Sequence, residues 1–491
     1  MAKSVQTPHP TVTEPSQPPG PAARIGLWLG PAWLLVALIF PAPAGMSDSA
    51  WLCAGLGLLM ATWWSTEAIP IPATSLLPLL LVPALGIAPM GQVSSSYANP
   101  IIYLFLGGFL LGIAMQRWEL HRRIALHVLR VVGHQPRRQI AGFMIATGFL
   151  SMWVSNTATA IMMLPIGMSV VSLLGQDNDP KELARYATAL LLAIAYSASI
   201  GGVATLIGTP PNALLAGYLA ESRGIDVGFA QWMVIGLPIS MVMMFLAWWW
   251  LGRGGFALKH GDDGGQMIRD ELTQLGALTP AERRVGIVFL LAALAWVARP
   301  LLNDLGLDWL SDTGIAIAAG LLLFLIPSGR GVGERLLDWD AAKTLPWGIL
   351  LLFGGGLALA GAISQSGLAE WIAEQLSLFG VLPLLALVGI VVLVIIFLTE
   401  VTSNTATAAA FLPLLGALAL SLDISPLLIT VPAAIAASCA FMMPVATPPN
   451  AIVFATGHMK IQSMIRAGFM LNVMSTLVVT LMAYLLVSWF W

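Results

Sequence analysis

The chain has 491 residues, of which 58% are hydrophobic and only 9% charged, with a net charge of −2. Soluble domains carry about 25% charged residues, so a freely soluble globular protein is excluded. The near-neutral charge points to no acidic or basic partner such as nucleic acid.

Residues 1–24 are rich in Pro, Thr and Ser and read as a disordered tail. No cleavable leader pattern opens the chain, so 25–48 holds a retained first span at about 25–41. Further spans are expected at about 50–67, 73–89 and 97–116. A basic stretch follows, with Arg122, Arg123, Arg130, Arg137 and Arg138 around His121, His127 and His134; it reads as a solvated membrane-surface helix rather than a metal site. The segment 139–173 is long enough to enter and leave the membrane on one side. Next come spans at 186–219 and 228–252, a cytoplasmic linker at 253–283, and spans at 284–302, 309–327 and 346–366. A second hairpin-length segment at 381–419 precedes spans at 424–456 and 464–488. The expected fold is an all-α polytopic membrane protein with eleven transmembrane helices and two re-entrant hairpins. Two closely spaced full spans are the alternative for each hairpin. Cys53 and Cys439 lie singly in apolar sequence and read as small buried hydrophobes.

With the N-terminus in the cytoplasm and the C-terminus outside, 20 of the 22 Lys and Arg residues face inward. Only Arg223 and Arg299 fall outside. Counting either hairpin as an extra crossing spoils the bias, which favours the re-entrant assignment and a plasma (inner) membrane location.

Ser-Asn-Thr-Ala-Thr occurs at 155–159 and again at 403–407, and Thr-Pro-Pro-Asn at 209–212 and 447–450. The first pair is offset by 248 residues, as are Leu-Phe-Leu-Gly-Gly at 104–108 and Leu-Phe-Gly-Gly-Gly at 352–356. The second motif pair is offset by 238. One copy begins with an outside-to-inside span and the other with an inside-to-outside span, so 49–252 and 284–491 read as inverted-topology repeats.

Each Ser-Asn-Thr lies at an expected hairpin tip. The half-helix after it presents free N–H groups and a positive dipole end, which suits an anion. Asn156, Thr157, Asn404 and Thr405 add neutral donors for carboxylate oxygens. The prolines of the second motif remove helical hydrogen bonds and free carbonyl oxygens. Those oxygens, with hydroxyl and amide oxygens, suit a hard cation such as sodium. No Lys or Arg occupies the middle of a span near the motifs, so an anion must be balanced by helix ends, neutral donors and co-bound cations. Glu400 is the acid close to a motif, suited to tuning the second cation site or to a structural hydrogen-bonded role.

These motifs, with Ser-Thr-Glu-Ala-Ile-Pro at 65–70 and Ile-Gly-Gly at 200–202, resemble the divalent anion/sodium symporter family, the INDY-type di- and tricarboxylate transporters. The resemblance covers nearly everything after residue 25. It implies a homodimer whose protomers each have a scaffold domain (49–138 and 284–380) and a mobile transport domain (139–252 and 381–491) moving as an elevator. It implies a first sodium site at Ser151, Ser155, Asn156 and the Gly208 carbonyl. The second would use Thr399, Thr402, Asn404 and the Ala446 carbonyl, so two or more Na+ ions are expected. At Thr402 the main chain is expected to matter more than the hydroxyl. Substrate carboxylates would be held by Asn156, Thr157, Asn404 and Thr405, with Thr209, Pro210, Thr447 and Pro448 nearby.

The expected function is sodium-coupled uptake of a C4-dicarboxylate such as succinate, malate or fumarate. A sodium-independent dicarboxylate or citrate/succinate exchanger of the same fold is the nearest rival, and sulfate an alternative substrate. An intramembrane enzyme would need a catalytic pair, and the spans hold no His-Glu-x-x-His, no Gly-x-Gly-Asp and no Ser/His dyad. Inverted repeats with closed polar tips favour alternating access over a channel.

Overall fold

Proline opens helix after helix in this chain, because its missing N–H costs nothing in a first turn. In the structure, a computed structural model, helices begin at Pro21, Pro100, Pro136, Pro180, Pro210, Pro280 and Pro448. The described residues are 20–133, 135–174, 178–258, 263–331, 333–376 and 382–491. Most of the expected tail, with Lys3, and also His134 and Lys259, lie outside them.

The first helices are α1 (Pro21–Ile39), α2 (Asp48–Thr66), α3 (Ile71–Thr74), α4 (Leu77–Ala84), α5 (Met90–Ser96) and α6 (Pro100–Arg117). Then come α7 (Leu120–Val132), α8 (Pro136–Ser151), α9 (Asn156–Leu174), α10 (Pro180–Val203), α11 (Pro210–Arg223) and α12 (Phe229–Leu251). The linker region carries α13 (Asp263–Leu275), followed by α14 (Pro280–Asp304), α15 (Asp312–Leu325), α16 (Trp339–Ala342), α17 (Trp347–Gln365) and α18 (Leu368–Leu376). Last are α19 (Leu384–Thr399), α20 (Asn404–Ser421), α21 (Leu427–Ala437), α22 (Pro448–Phe454), α23 (Ile461–Val478) and α24 (Tyr484–Phe490), with a π-helical turn at Val479–Ala483. Among the described residues there is no strand, only an isolated bridge between Pro327 and Arg335.

Two expectations change. The segment 73–89 is not one continuous helix: it holds the end of α3, then α4, and a turn that leads to α5. Pro70 precedes α3, Pro72 lies in it, Pro78 and Pro83 lie in α4, and Gly86 takes a positive φ of 69°. The first helix begins at Pro21, inside the expected tail. The linker is partly helical: α13 docks on α7 through an Arg122–Glu271 ion pair at 2.5 Å, and Arg123 donates to the Gly276 carbonyl just beyond it at 2.9 Å.

Nine described helices or helix runs, α9 and α20 included, are long and apolar enough to cross a membrane by length and composition. Two helices form the axes of the bundle. In α10 every side chain from Tyr186 to Val203 except the half-buried Thr188 is buried, and in α21 every one except Leu428. Around α10 pack α8, α9, α12 and α22; around α21 pack α11, α19 and α20. The pairing crosses the halves of the chain: α11 packs on α20, and α22 packs on α9. All four helices that start at a sequence break therefore meet helices that start at the other motif type. Cys53 and Cys439 are free and buried.

Candidate functional site

The Ser-Asn-Thr segments are short non-helical joints. Between α8 and α9 the chain breaks at 152–155, and between α19 and α20 at 400–403. Asn156 and Asn404 each open a helix, so their amides and those of Thr157 and Thr405 sit in first turns that lack intrahelical acceptors. The Ser155 hydroxyl turns back to accept from Ala158 N at 3.3 Å, while Ser403 caps α20 without a side-chain bond. Asn156, Thr157 and Asn404 are half-buried and Thr405 is buried. No Lys or Arg stands in the first three turns of α9, α11, α20 or the short α22.

The Thr-Pro-Pro-Asn breaks are near copies of one another. Thr209 caps α11 at φ −144° and ψ 141°, and Thr447 caps α22 at φ −142° and ψ 149°. Asn212 Nδ2 donates to the carbonyls of Gly202, Val203 and Thr205 at 3.2, 3.3 and 2.8 Å. Asn450 Nδ2 donates to Ala440 and Met443 at 3.2 and 3.1 Å, the counterparts of Gly202 and Thr205. Each Asn thus gathers carbonyls that the helix break releases, which a buried backbone requires. Both Thr are buried, Pro210 is half-buried and Pro448 exposed.

Two oxygen clusters form where tips meet breaks. The Asn156 amide sits among the Ser151 hydroxyl and the carbonyls of Ala198 and Gly208. With Nδ2 turned inward it donates to these at 2.5, 3.0 and 3.3 Å. With Oδ1 inward it takes the Ser151 hydroxyl at 2.5 Å and adds a fourth oxygen to the set. In the second half the Thr399 hydroxyl lies 2.7 Å from Asn404 Oδ1 and 3.0 Å from the Ala437 carbonyl, repeating Ser151, Asn156 and Ala198. Clusters built only of hydroxyl, amide and carbonyl oxygen fit a hard monovalent or divalent cation.

Glycine makes the first cluster possible. A Cβ on Gly202 would stand 2.7 Å from Asn156 Oδ1 and 2.9 Å from the Gly208 carbonyl. One on Gly201 would collide with the Gly148 backbone.

The structure thus brings together Ser151, Asn156 and Gly208, and separately Thr399 and Asn404. The Thr402 hydroxyl is engaged elsewhere, donating to Leu398 O at 2.9 Å and lying 2.6 Å from Thr407 Oγ1. Ala446 is buried in the turn before Thr447, its N–H donating to Met443 O at 3.2 Å. The halves touch where Thr209 Oγ1 lies 3.4 Å from Ser438 Oγ.

Sequence reasoning missed Ala198 and Ala437, whose carbonyls join the clusters, and the clamping role of Asn212 and Asn450. Only the repeat offset near 238 could have flagged the alanines. Glu400 proves to be a structural carboxyl: Oε1 accepts from Phe441 N and Met442 N at 2.7 and 2.9 Å, and Oε2 from Met442 N and Met443 N at 3.1 and 2.9 Å. It ties the second tip to the chain leading into Thr447.

An all-helical bundle of apolar spans interrupted by polar, oxygen-lined breaks defines a multi-span membrane transporter. Its fold is similar to that of the YdaH transporter of Alcanivorax borkumensis (TM-score 0.61, 15% identity, 96% of this chain and 99% of that one). MtrF of Neisseria gonorrhoeae is similar at a TM-score of 0.56 and 15% identity, over 96% and 95% of the two chains. The family described as "sodium:sulfate symporter transmembrane region" matches residues 25–491, and the chain belongs to that family of transporters. It is 46% identical over 476 residues to the sodium-dependent dicarboxylate transporter SdcS of Staphylococcus saprophyticus, covering 94% of this chain and 91% of that protein. The SdcS of Staphylococcus aureus is 45% identical over 473 residues, with 94% and 90% covered.

Proposed function

We propose that the protein is a secondary transporter that couples sodium entry to uptake of a dicarboxylate, with succinate, malate and fumarate as the expected substrates. The observation that carries this is the pair of matching oxygen clusters, at Asn156 and at Asn404, each beside the start of a helix with no fixed cation. Sodium is co-transported substrate. Its first site comprises Ser151, Asn156 and the Gly208 carbonyl, joined by the Ala198 carbonyl, with Ser155 alongside. The second comprises Thr399, Asn404, the Ala437 and Ala446 carbonyls and the Thr402 main chain. A cation drawing Asn156 Oδ1 inward turns Nδ2 outward, so sodium binding presents a donor to the carboxylate. Asn156, Thr157, Asn404 and Thr405 take the two carboxylates through amide groups and helix N-termini. Thr209, Pro210, Thr447 and Pro448 shape the space between.

The 49–252 and 284–491 halves act as inverted repeats in this reading, each with a re-entrant hairpin. In support, α8 and α19 have 16 residues each, about 24 Å of helix, against a hydrocarbon core of ~30 Å. The transport domain (139–252 and 381–491) moves as an elevator against a dimeric scaffold (49–138 and 284–380), in an inner membrane with the N-terminus inside and the C-terminus outside. Gly217 faces Ile101 and Leu357 across that boundary, and Gly356 faces Ala409 and Leu214; small residues leave a surface smooth enough to slide.

The test is uptake into proteoliposomes under an imposed sodium gradient, with succinate, citrate and sulfate compared. Sodium-driven succinate uptake that is lost in Asn156→Ala and in Asn404→Ala supports the site. Uptake needing a preloaded dicarboxylate and no sodium means an exchanger instead.

A further inference from the structure

Away from the tips, a cavity of about 780 Å³ opens between the start of α10, the end of α12 and the start of α23. It is lined by Lys181, Arg253, Lys460 and Arg466, and by Arg185, which is neutralised by Glu182 at 2.6 Å. Among the described residues no acidic side chain lines the cavity. None of the first four cations has an ion-pair partner among the described residues. Lys460 is also the N-cap of α23 and makes no side-chain cap, so the first amides of that helix point from an uncapped N-terminus at the same end. The inner wall is apolar, formed by buried Leu192 and Met459. The depth is set by the Trp248-Trp249-Trp250 run closing α12, an aromatic belt at the membrane interface, with Arg253 stacked over the Trp250 ring.

Four cations without an ion-pair partner among the described residues, and a bare helix N-terminus above an apolar wall, at headgroup depth, match an amphiphile with a phosphodiester head and acyl chains. We propose that this cavity binds an anionic phospholipid, its phosphate held among Arg253, Lys460, Arg466 and the α23 N-terminus. A soluble anion would leave the apolar wall without a partner, and a zwitterionic lipid would bring its own cation into a cationic site. The basic residues place the cavity in the leaflet that the charge bias assigns to the cytoplasm. The lipid then bridges α10, α12 and α23, three helices that pack around the two tips.

The experiment titrates the purified full chain in detergent with phosphatidylglycerol or phosphatidylcholine and counts bound lipid by native mass spectrometry. Phosphatidylglycerol is expected to bind at least tenfold more tightly. The Lys460→Gln/Arg466→Gln variant is expected to lose that preference, and Lys460→Arg to keep it. Monodisperse elution of each variant guards against misfolding, and Lys181→Gln, at an exposed position, gives a milder loss should the double variant not fold. Equal binding of the two lipids overturns the proposal, as does retention of phosphatidylglycerol by the double variant. Displacement of the lipid by millimolar inorganic phosphate or succinate also overturns it, since the cavity would then be a soluble-anion site.

Discussion

The buried Asn472 amide donates to the Glu400 carboxylate at 2.8 Å, completing a set in which that one carboxylate also takes the N–H groups of Phe441, Met442 and Met443. Glu400 stands beside Thr399 of the second oxygen cluster, and the amides it holds lead toward Ala446. In the first half its counterpart is Met152, whose carbonyl instead accepts from the Thr205 hydroxyl at 2.5 Å. The two clusters are therefore braced differently. Glu400→Gln turns an amide donor toward N–H groups, at roughly 1–3 kcal/mol for each donor left unpaired. We expect a lower thermal midpoint in detergent and a right-shifted sodium activation curve, with the larger effect in Glu400→Ala. A Glu400→Gln protein with wild-type midpoint and sodium dependence removes the brace from the account.

Gly202→Ala tests the first cluster alone. The added methyl would meet Asn156 Oδ1 and the Gly208 carbonyl at 2.7 and 2.9 Å, and overpacking of this kind costs about 1–3 kcal/mol. The expected outcome is a protein that still folds but needs several-fold more sodium for half-maximal uptake. Gly167→Ala, where the Cβ presses on the movable end of Ile194 at 2.9 Å and otherwise makes ordinary contact with Phe143 and Leu190 at 3.6 and 3.8 Å, serves as the control and should leave sodium activation unchanged.

How much of this was legible beforehand follows from what leaves a mark in side-chain chemistry. The tips and breaks were legible because polar and proline residues stand out in apolar sequence. Asn156 and Asn404 were found on that ground. The carbonyls of Ala198 and Ala437 were not, because a backbone ligand can belong to any residue. Glu400 was visible, yet its donors lie 41 to 72 residues away and only packing names them. The helix expected at 73–89 is interrupted for another reason: hydropathy sums over Pro78 and Pro83 as if they were neutral to helix geometry, and they are not.

Asn212 and Asn450 offer a test of the repeat. Each is buried and clamps the carbonyls ten and seven residues upstream. Removing either amide strands carbonyls at the break before a Thr-Pro-Pro turn. Asn212→Ala and Asn450→Ala should each lower the thermal midpoint and reduce uptake at least tenfold, while Asn→Asp at either place should fail as badly, since a carboxylate cannot donate. An effect at one position and none at the other would separate the two halves functionally.

His121 supplies a pH dependence outside the spans. Burial at the start of α7 holds its imidazole below the ordinary value, against the pull of the Met115 carbonyl at 3.0 Å and of Glu119; Arg122 adds to the lowering. With the folded value below the unfolded one of about 6.5, the unfolded chain binds the extra proton first. Stability from this group is complete above the unfolded value and declines as pH falls below it. The thermal midpoint should drop between pH 8 and pH 5, and the drop should shrink in His121→Gln.

The elevator reading makes its sharpest demand at the opposite end of the bundle. Glu221, near the end of α11, accepts from Ser96 at 2.5 Å and from Asn99 at 3.0 Å, joining the proposed mobile domain to α5 and the cap of α6. Nearby, Asp312 at the start of α15 accepts from Phe229 N of α12 at 2.7 Å and pairs with Arg299 at 2.9 Å. A hydrogen bond to a charged group contributes roughly 1.5–3 kcal/mol, so losing one shifts a two-state equilibrium by about tenfold or more. Both contacts must break if α11 and α12 slide past the scaffold. A Ser96→Cys/Glu221→Cys pair, built without Cys53 and Cys439, should lose uptake when bridged by mercury and regain it on addition of thiol. Full transport by the bridged protein means that α11 keeps its place beside α5 throughout the cycle, and the moving boundary then lies elsewhere.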